Sequence, residues 1–188
     1  MIMHYLLTLP YITITLLLLS YTRAKQFAYY FCILFIGILC NIPFYHHLSL
    51  NDLTYSITSN LSFFTLILCA LLCLEILQFK KKKIFFISYK GYLYIAFANL
   101  FFYLCFLNII PLNIYYTDHT YTILIASSII FISFFFDKIV SLAYLFCLFA
   151  YNLGLFEVNN IFDYFFDVPI LIATLIALCI KSFQKIKK

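Results

Sequence analysis

The stretch YTILIASSIIFISFFFDKIVSLAYLFCLFAYNLGLF occupies residues 121–156, and its only charged residues are Asp137 and Lys138. A helix that crosses the hydrocarbon core of a membrane takes roughly 20 predominantly apolar residues. The two apolar runs that flank Asp137 and Lys138 approach that length. The stretch therefore predicts two membrane-spanning helices joined by a short charged turn.

Composition extends this interpretation to the whole chain. Of its 188 residues, 66% are hydrophobic and 10% are charged, and the mean hydropathy is +1.05, whereas an ordinary soluble domain is about half apolar and a quarter charged. The 12 Lys and Arg with 7 Asp and Glu cannot cover a soluble fold that contains 24 Phe. We expect an all-α integral membrane protein that forms one polytopic domain over residues 1–188, without a separate soluble domain.

Seven apolar segments predict the number of spans. They lie at residues 5–20, 27–44, 61–79, 92–110, 121–136, 139–156 and 168–180. The last segment is short for a span, although residues 161–166 can extend it upstream or lie at the membrane interface. We therefore expect a bundle of about seven transmembrane helices, with six as the alternative.

Positively charged residues indicate the orientation of the chain. They follow alternate apolar segments, at Arg23, Lys25, residues 80–83, Lys90, Lys138, Lys181, Lys185, Lys187 and Lys188. With seven spans, all 12 fall on one side, which predicts an outer N-terminus and a cytoplasmic C-terminus. No Lys or Arg precedes the first apolar run, so we expect an uncleaved anchor rather than a secretory signal. We expect the cytoplasmic (inner) membrane of a bacterium, with an organellar inner membrane as the alternative.

Small residues predict where helices contact each other, because close approach and hydrogen bonds, rather than apolar burial, drive helix association in lipid. Three segments carry small residues at helical spacing. The stripes are Ala143, Cys147, Ala150 and Gly154; Thr65, Cys69 and Cys73; and Ala173 with Ala177. We expect these faces to pack against other helices. Cys69 and Cys73 are interpreted as small apolar filler, with a soft-metal site as the alternative.

Histidine and carboxylate residues collect on the predicted outer side, which receives all 4 His. Imidazole and carboxylate groups together form ligand sets for zinc, iron or manganese. The candidate metal ligands are His46, His47, His119 and Asp118. None of them has the spacing of a strong metal motif such as HExxH, so polar loop residues without a site are the simpler interpretation. The cofactor, if one binds, stays unknown.

Two polar residues fall within the predicted spans. Glu75 precedes the lysines at residues 80–83 by five residues, about 8 Å along a helix, and can pair with one of them. A proton or ion relay is the alternative role for this carboxylate. Asn99 lies near the centre of its segment, where an amide usually bonds to a neighbouring helix, and a substrate contact is the alternative.

Asn159, Asp163 and Asp167 are spaced four residues apart. On one helix they would form a ridge that resembles the NxxxDxxxD element with which intramembrane prenyltransferases of the UbiA type hold magnesium and a diphosphate. The resemblance covers nine residues and implies an intramembrane enzyme. The chain lacks the second aspartate motif of that family, and its carboxylates fall on the outer side, whereas the family's are cytoplasmic. We therefore expect an interfacial turn with two solvated aspartates, and the helical ridge is the alternative.

Catalytic motifs of the soluble type are absent from the sequence. It contains no GxSxG or HExxH, and its 3 Gly residues cannot form a glycine-rich phosphate loop. We expect a non-enzymatic accessory or structural subunit of a membrane complex, with the lipid bilayer and other membrane subunits or a second copy of itself as partners and no nucleic-acid partner. The alternative is a small permease or metal-handling protein that uses the outer His and Asp residues.

Overall fold

The computed structural model describes residues 5–22, 25–44, 46–58, 61–79, 87–156 and 160–186. Every regular element in these residues is an α-helix, which confirms the predicted all-α class. The helices are α1 (Thr8–Ser20), α2 (Gln26–Leu39), α3 (Leu50–Thr58), α4 (Phe63–Phe79), α5 (Tyr89–Phe106), α6 (His119–Phe136), α7 (Lys138–Asn152), α8 (Phe162–Phe165) and α9 (Val168–Ile186). Each predicted apolar segment corresponds to one helix, namely α1, α2, α4, α5, α6, α7 or α9.

Two helices, α3 and α8, lie where the sequence predicted outer loops. α3 begins with reciprocal hydrogen bonds, in which the Ser49 backbone N donates to Asp52 Oδ2 at 2.9 Å and the Asp52 backbone N donates to Ser49 Oγ at 3.2 Å. This is the capping-box arrangement, which starts a helix by satisfying its free N–H groups. The serine and the carboxylate three residues later were a local signal for α3, although the segment is too polar to register as a span.

The contacts divide the chain into two compact units. Unit 1 consists of Met1–Leu61 and Leu66–Phe86, and unit 2 consists of Ser62–Thr65 and Ile87–Lys188. Unit 1 therefore contains α1 to α3 and most of α4, while unit 2 contains the first turn of α4 and all of α5 to α9. The expectation of one polytopic domain stays a prediction.

Helix length separates the candidate spans into two groups. The stretches His119–Phe136 and Phe162–Phe183 are both long and apolar enough to cross a membrane. Shorter apolar helices of the described residues lie at Thr8–Ser20, Gln26–Leu39, Phe63–Gln78 and Lys138–Asn152. Membrane insertion and the count of seven spans therefore stay predictions.

The buried face of α6 carries mostly small or polar side chains, and most of its large apolar side chains are exposed. Its buried side chains are Thr122, Ala126, Ile129 and Ser133, which lie on one face at intervals of four, three and four residues. Its exposed side chains include Leu124 (59% exposed), Phe131 (66%) and Phe135 (70%). The distribution is the reverse of that in a soluble amphipathic helix, whose large apolar side chains face the core.

Polar side chains join the helices of unit 1. Asn51 donates from Nδ2 to Thr8 Oγ1 at 2.9 Å and to Asn41 Oδ1 at 3.0 Å. The Thr13 hydroxyl of α1 lies 3.2 Å from Cys73 Sγ, and it donates to the Cys69 carbonyl at 3.4 Å. The two cysteines of the predicted small-residue stripe in α4 therefore contact α1, as expected.

The predicted stripe of α7 is confirmed within the helix. Ala143, Cys147 and Ala150 are all buried inside unit 2. The fourth member, Gly154, lies beyond the end of α7 and is exposed. Its φ of +60° ends the helix in the left-handed region that glycine favours. The stripe is therefore shorter than predicted by one residue.

The predicted stripe of α9 is only half correct. Ala177 is buried, but Ala173 is exposed. The buried face of α9, which packs against α5, runs instead through Ile170, Thr174 and Ala177. Each residue turns an α-helix by about 100°, so the one-residue difference between Ala173 and Thr174 moves Ala173 off this face.

Asp137 joins the turn between α6 and α7 to the start of α5. Its Oδ1 accepts a hydrogen bond from the Ile139 backbone N at 2.9 Å and caps α7, while its Oδ2 accepts one from the Ser88 backbone N at 2.7 Å. Gly91 approaches so closely that a Cβ there would lie 2.8 Å from Asp137 Cβ. Burial by itself raises the pKa of Asp137, but the hydrogen bonds outweigh it and hold the pKa below its ordinary value of 3.8.

We expect Asp137→Ala to lower the free energy of unfolding in detergent by about 1–2 kcal/mol, because it removes a helix cap. Asp118→Ala is the matched control, since Asp118 precedes α6 in the same way but makes no side-chain capping hydrogen bond. Denaturant titration in detergent measures both variants. Equal losses in the two variants would contradict the capping role.

The same pair of variants tests the pKa of Asp137. Because folding lowers this pKa, the stabilisation is complete above the unfolded-state pKa and is lost as the pH falls through the folded-state pKa. The stability difference between the wild type and Asp137→Ala should therefore be smaller at about pH 3 than at about pH 7.

Candidate functional site

Unit 2 contains a cavity of about 230 Å³ that is walled mainly by aromatic rings. α5 contributes Phe102, Tyr103 and Phe106, the connection between α5 and α6 contributes Tyr115, and α8 begins with Phe162 and Asp163. The remaining lining residues are Cys105, Ile114 and Phe166. We call this space the aromatic cavity.

Ring contacts hold the walls of the aromatic cavity. The ring of Phe102 stacks on that of Phe166 with a centroid separation of 4.4 Å, and it lies 5.0 Å from the ring of Phe162. On the other side, the rings of Phe106 and Tyr115 meet edge to face at 5.1 Å. Such packing fixes ring orientation as well as position.

A carboxylate and a tyrosine form the polar part of the cavity. The Tyr115 hydroxyl donates to Asp163 Oδ1 at 2.7 Å. The loop around Tyr115 is held by Asn160, whose Nδ2 donates to the Tyr115 carbonyl at 2.9 Å and whose Oδ1 accepts from the Phe162 backbone N at 3.0 Å. Burial raises the pKa of Tyr115, and its hydrogen bond to Asp163 raises this pKa further. Tyr115 therefore stays protonated and donates at neutral pH.

Asp167 has a different environment from Asp163. Its carboxylate is buried, and its Oδ2 accepts from the Ser62 backbone N at 2.8 Å and from Thr65 Oγ1 at 2.7 Å. Its Oδ1 accepts from the Ile170 backbone N at 2.7 Å and caps α9. Three donors from the chain surround this carboxylate, so it holds two helix starts together rather than facing a ligand.

The predicted ridge of Asn159, Asp163 and Asp167 is wrong. Asp163 lies in the four-residue helix α8, and Asp167 lies between α8 and α9, so the two carboxylates do not share one continuous helix. The expected turn with two solvated aspartates is wrong for Asp167, which is buried. Asn159 lies outside the described residues.

Unit 1 contains a second, more polar cavity of about 350 Å³. Its lining residues are Tyr5, Asn41, Pro43, His47, Ser49, Asn51 and Asp52. Asn51 is buried, and its Oδ1 has no hydrogen-bond partner among the described residues. His46 and His47 have φ values of 46° and 64°, in the left-handed region that is costly for residues other than glycine.

The predicted metal ligands are divided between the two units. His46 and His47 belong to unit 1, whereas Asp118 and His119 belong to unit 2 at the start of α6. The His119 ring lies 6.1 Å from the ring of Tyr151. Among the described residues, no group of three or more His, Cys, Asp or Glu side chains is arranged to hold a metal ion. The metal site stays a prediction.

Asn99 is fully buried in α5, but its predicted bond to a neighbouring helix is wrong. Its Nδ2 donates to the Ile95 carbonyl of the same helix at 2.9 Å, because that carbonyl lies one turn earlier on the same face. Its Oδ1 has no hydrogen-bond partner in the described part of the chain.

Glu75 is partly buried in α4, and its Oε2 finds no hydrogen-bond donor among the described residues. The lysines at residues 80–83, with which we expected it to pair, lie outside the described residues. The pairing of Glu75 with a lysine stays a prediction.

Sequence reasoning missed the aromatic cavity. Tyr115, Phe102 and Phe106 were not singled out as site residues. The available signal was the i, i+4 spacing of these two Phe residues on α5, together with an aromatic- and carboxylate-rich outer loop. The chain matches no family model, no curated protein and no solved structure.

The Asp167 contacts predict a specific loss of stability in Thr65→Val. This change removes a hydrogen bond to a charged group, which contributes about 1.5–3 kcal/mol. Thr174→Val is the matched control, because the buried Thr174 hydroxyl donates only to carbonyls of its own helix, at Ile170 and Leu171. Denaturant titration in detergent should show the larger loss for Thr65→Val, and similar losses would contradict the bridging role of Asp167.

Proposed function

We propose that the chain is a multi-pass protein of the bacterial inner membrane, with about seven transmembrane helices, an outer N-terminus and a cytoplasmic C-terminus. The proposal is supported by α6, which exposes Phe131 and Phe135 and buries Thr122, Ala126 and Ser133. In water, exposed rings cost free energy in proportion to their apolar area. In lipid they cost none, and small or polar residues form the helix contacts instead.

The exposed side chains of α2 also support a lipid environment. None of its side chains is buried, and Phe31, Leu34, Phe35 and Ile38 are all exposed. A soluble protein rarely exposes a contiguous apolar patch of this kind without a partner. Acyl chains or the helix of another membrane subunit would cover this face.

Contacts inside unit 2 agree with the proposed orientation. Lys181 Nζ donates to the Ile87 carbonyl at 2.5 Å, and Ser88 bonds to Asp137, so three segments predicted on the inner side meet. The contact of Tyr115 with Asp163 joins two loops predicted on the outer side. Neighbouring spans of alternating direction bring their loops together in this way.

The proposed function is that of a non-enzymatic accessory or structural subunit of a membrane complex. The observation that carries this proposal is that polar side chains form hydrogen bonds within the bundle itself. Asp137 and Asp167 accept hydrogen bonds from backbone N–H groups that begin helices, and Asn51 and Thr13 join neighbouring helices. Groups used in this way hold the bundle together and are not presented to a substrate.

Cysteine labelling tests the orientation. In a variant without native cysteines, Thr117→Cys and Lys138→Cys flank the 18-residue helix α6, which is about 27 Å long. We expect a membrane-impermeant maleimide to label Thr117→Cys in intact cells and Lys138→Cys only after permeabilisation. Labelling of both variants in intact cells would contradict the spanning role of α6, and the opposite order would contradict the orientation.

Native mass spectrometry of the protein in mild detergent tests the subunit role. We expect a second polypeptide in stoichiometric amount, or a second copy of this chain, because the apolar face of α2 is exposed among the described residues. A single bare chain would contradict this proposal.

The second candidate function is that of a small permease or metal-handling protein. It is favoured by the polar cavity of unit 1, where His47 and Asp52 lie beside the buried Asn51. It predicts a single chain that carries zinc in the same spectra and loses it in His47→Ala. His119→Ala, in the other unit, is the control, and unchanged zinc in His47→Ala would contradict this candidate.

A further inference from the structure

We propose that the aromatic cavity of unit 2 binds a small organic cation, either an amine or a quaternary ammonium, with Asp163 as its counter-charge. This inference depends on unit 2 alone and goes beyond the subunit role proposed above.

The described residues around Asp163 do not neutralise its charge. None of the nine residues that line the cavity is Lys, Arg or His. The Tyr115 hydroxyl donates to Oδ1, and no described residue donates to Oδ2. A carboxylate in a partly buried site is costly unless it is paired or fully hydrogen-bonded, so a ligand with a positive charge would complete this site.

The walls favour a cation that is organic. Six of the nine lining residues are Phe or Tyr, and the negative faces of such rings attract cations within about 6 Å of the ring centre. Aromatic walls also provide apolar contact for alkyl groups. A carboxylate that is surrounded by rings therefore suits an ammonium group with carbon substituents better than it suits a fully hydrated ion.

Other ligand classes fit the cavity less well. An anion would meet the charge of Asp163 with no basic residue in the lining to offset it. A transition metal needs several His, Cys, Asp or Glu ligands, and Asp163 is the only acidic side chain in the lining. A neutral apolar ligand would leave the carboxylate unpaired.

Size and access limit the ligand to a small one. The cavity volume of about 230 Å³ far exceeds the ~10–15 Å³ that one water needs, and it lies below the ~300–1,000 Å³ of pockets for drug-sized molecules. Phe106 is 48% exposed and lies at the edge of the cavity. A ligand can therefore enter beside Phe106 and Tyr115.

Isothermal titration of the purified full chain in detergent with tetramethylammonium chloride tests the proposal. We expect saturable binding that weakens at least tenfold in Asp163→Asn, because the change removes the counter-charge. Phe106→Leu should weaken binding by about 2-fold to 10-fold through loss of one aromatic face. Phe106 is half exposed, so this variant tests the cavity even if Asp163→Asn fails to fold.

Asp118→Asn is the control for charge, because it removes an exposed carboxylate of the same unit that does not line the cavity. It should bind tetramethylammonium as the wild type does. Absence of binding in the wild type would overturn the proposal, as would wild-type affinity in both Asp163→Asn and Phe106→Leu. Equal displacement by sodium chloride would also overturn it, in favour of an inorganic cation.

Discussion

The buried carboxylate of Asp167 determines where two helices of unit 2 begin. It accepts hydrogen bonds from the first turn of α9 and from Ser62 and Thr65 at the start of α4. The carboxylate lies beside the N-terminal ends of both helices, where a helix dipole favours a negative charge. Residues 62–65 consequently belong to unit 2, although the rest of α4 belongs to unit 1.

The aromatic core of unit 2 is built around this junction. Tyr144 of α7 is fully buried, with the ring of Phe64 stacked on it at 4.2 Å and the ring of Phe165 at 5.1 Å. Phe166, which directly precedes Asp167, contacts both Tyr144 and Phe102. The wall of the aromatic cavity is therefore continuous with the core, so the cavity is shaped by the same residues that stabilise the unit.

Long apolar runs made the seven main helices predictable, because they depend only on local sequence. For α3 the sequence offered only the capping pair Ser49 and Asp52, which is a weaker signal than a long apolar run. The role of Asp167 could not be predicted, since its partner Ser62 lies 105 residues away and no spacing rule connects them. For the same reason the pairing of Tyr115 with Asp163 was missed, while Asp163 itself was noticed only as part of a helical pattern that the chain does not form.

Synthesis of unit 1 delivers the hydrogen-bond partners of Thr8 one after the other. The Thr8 hydroxyl lies 3.4 Å from the amide of Asn41 and 2.9 Å from that of Asn51, which follow it by 33 and 43 residues. At about 5–20 residues per second, the ribosome reaches Asn51 roughly 2–9 s after Thr8. When Asn41 has been made and Asn51 has not, only the longer of these two bonds can form, and the shorter one becomes available with α3.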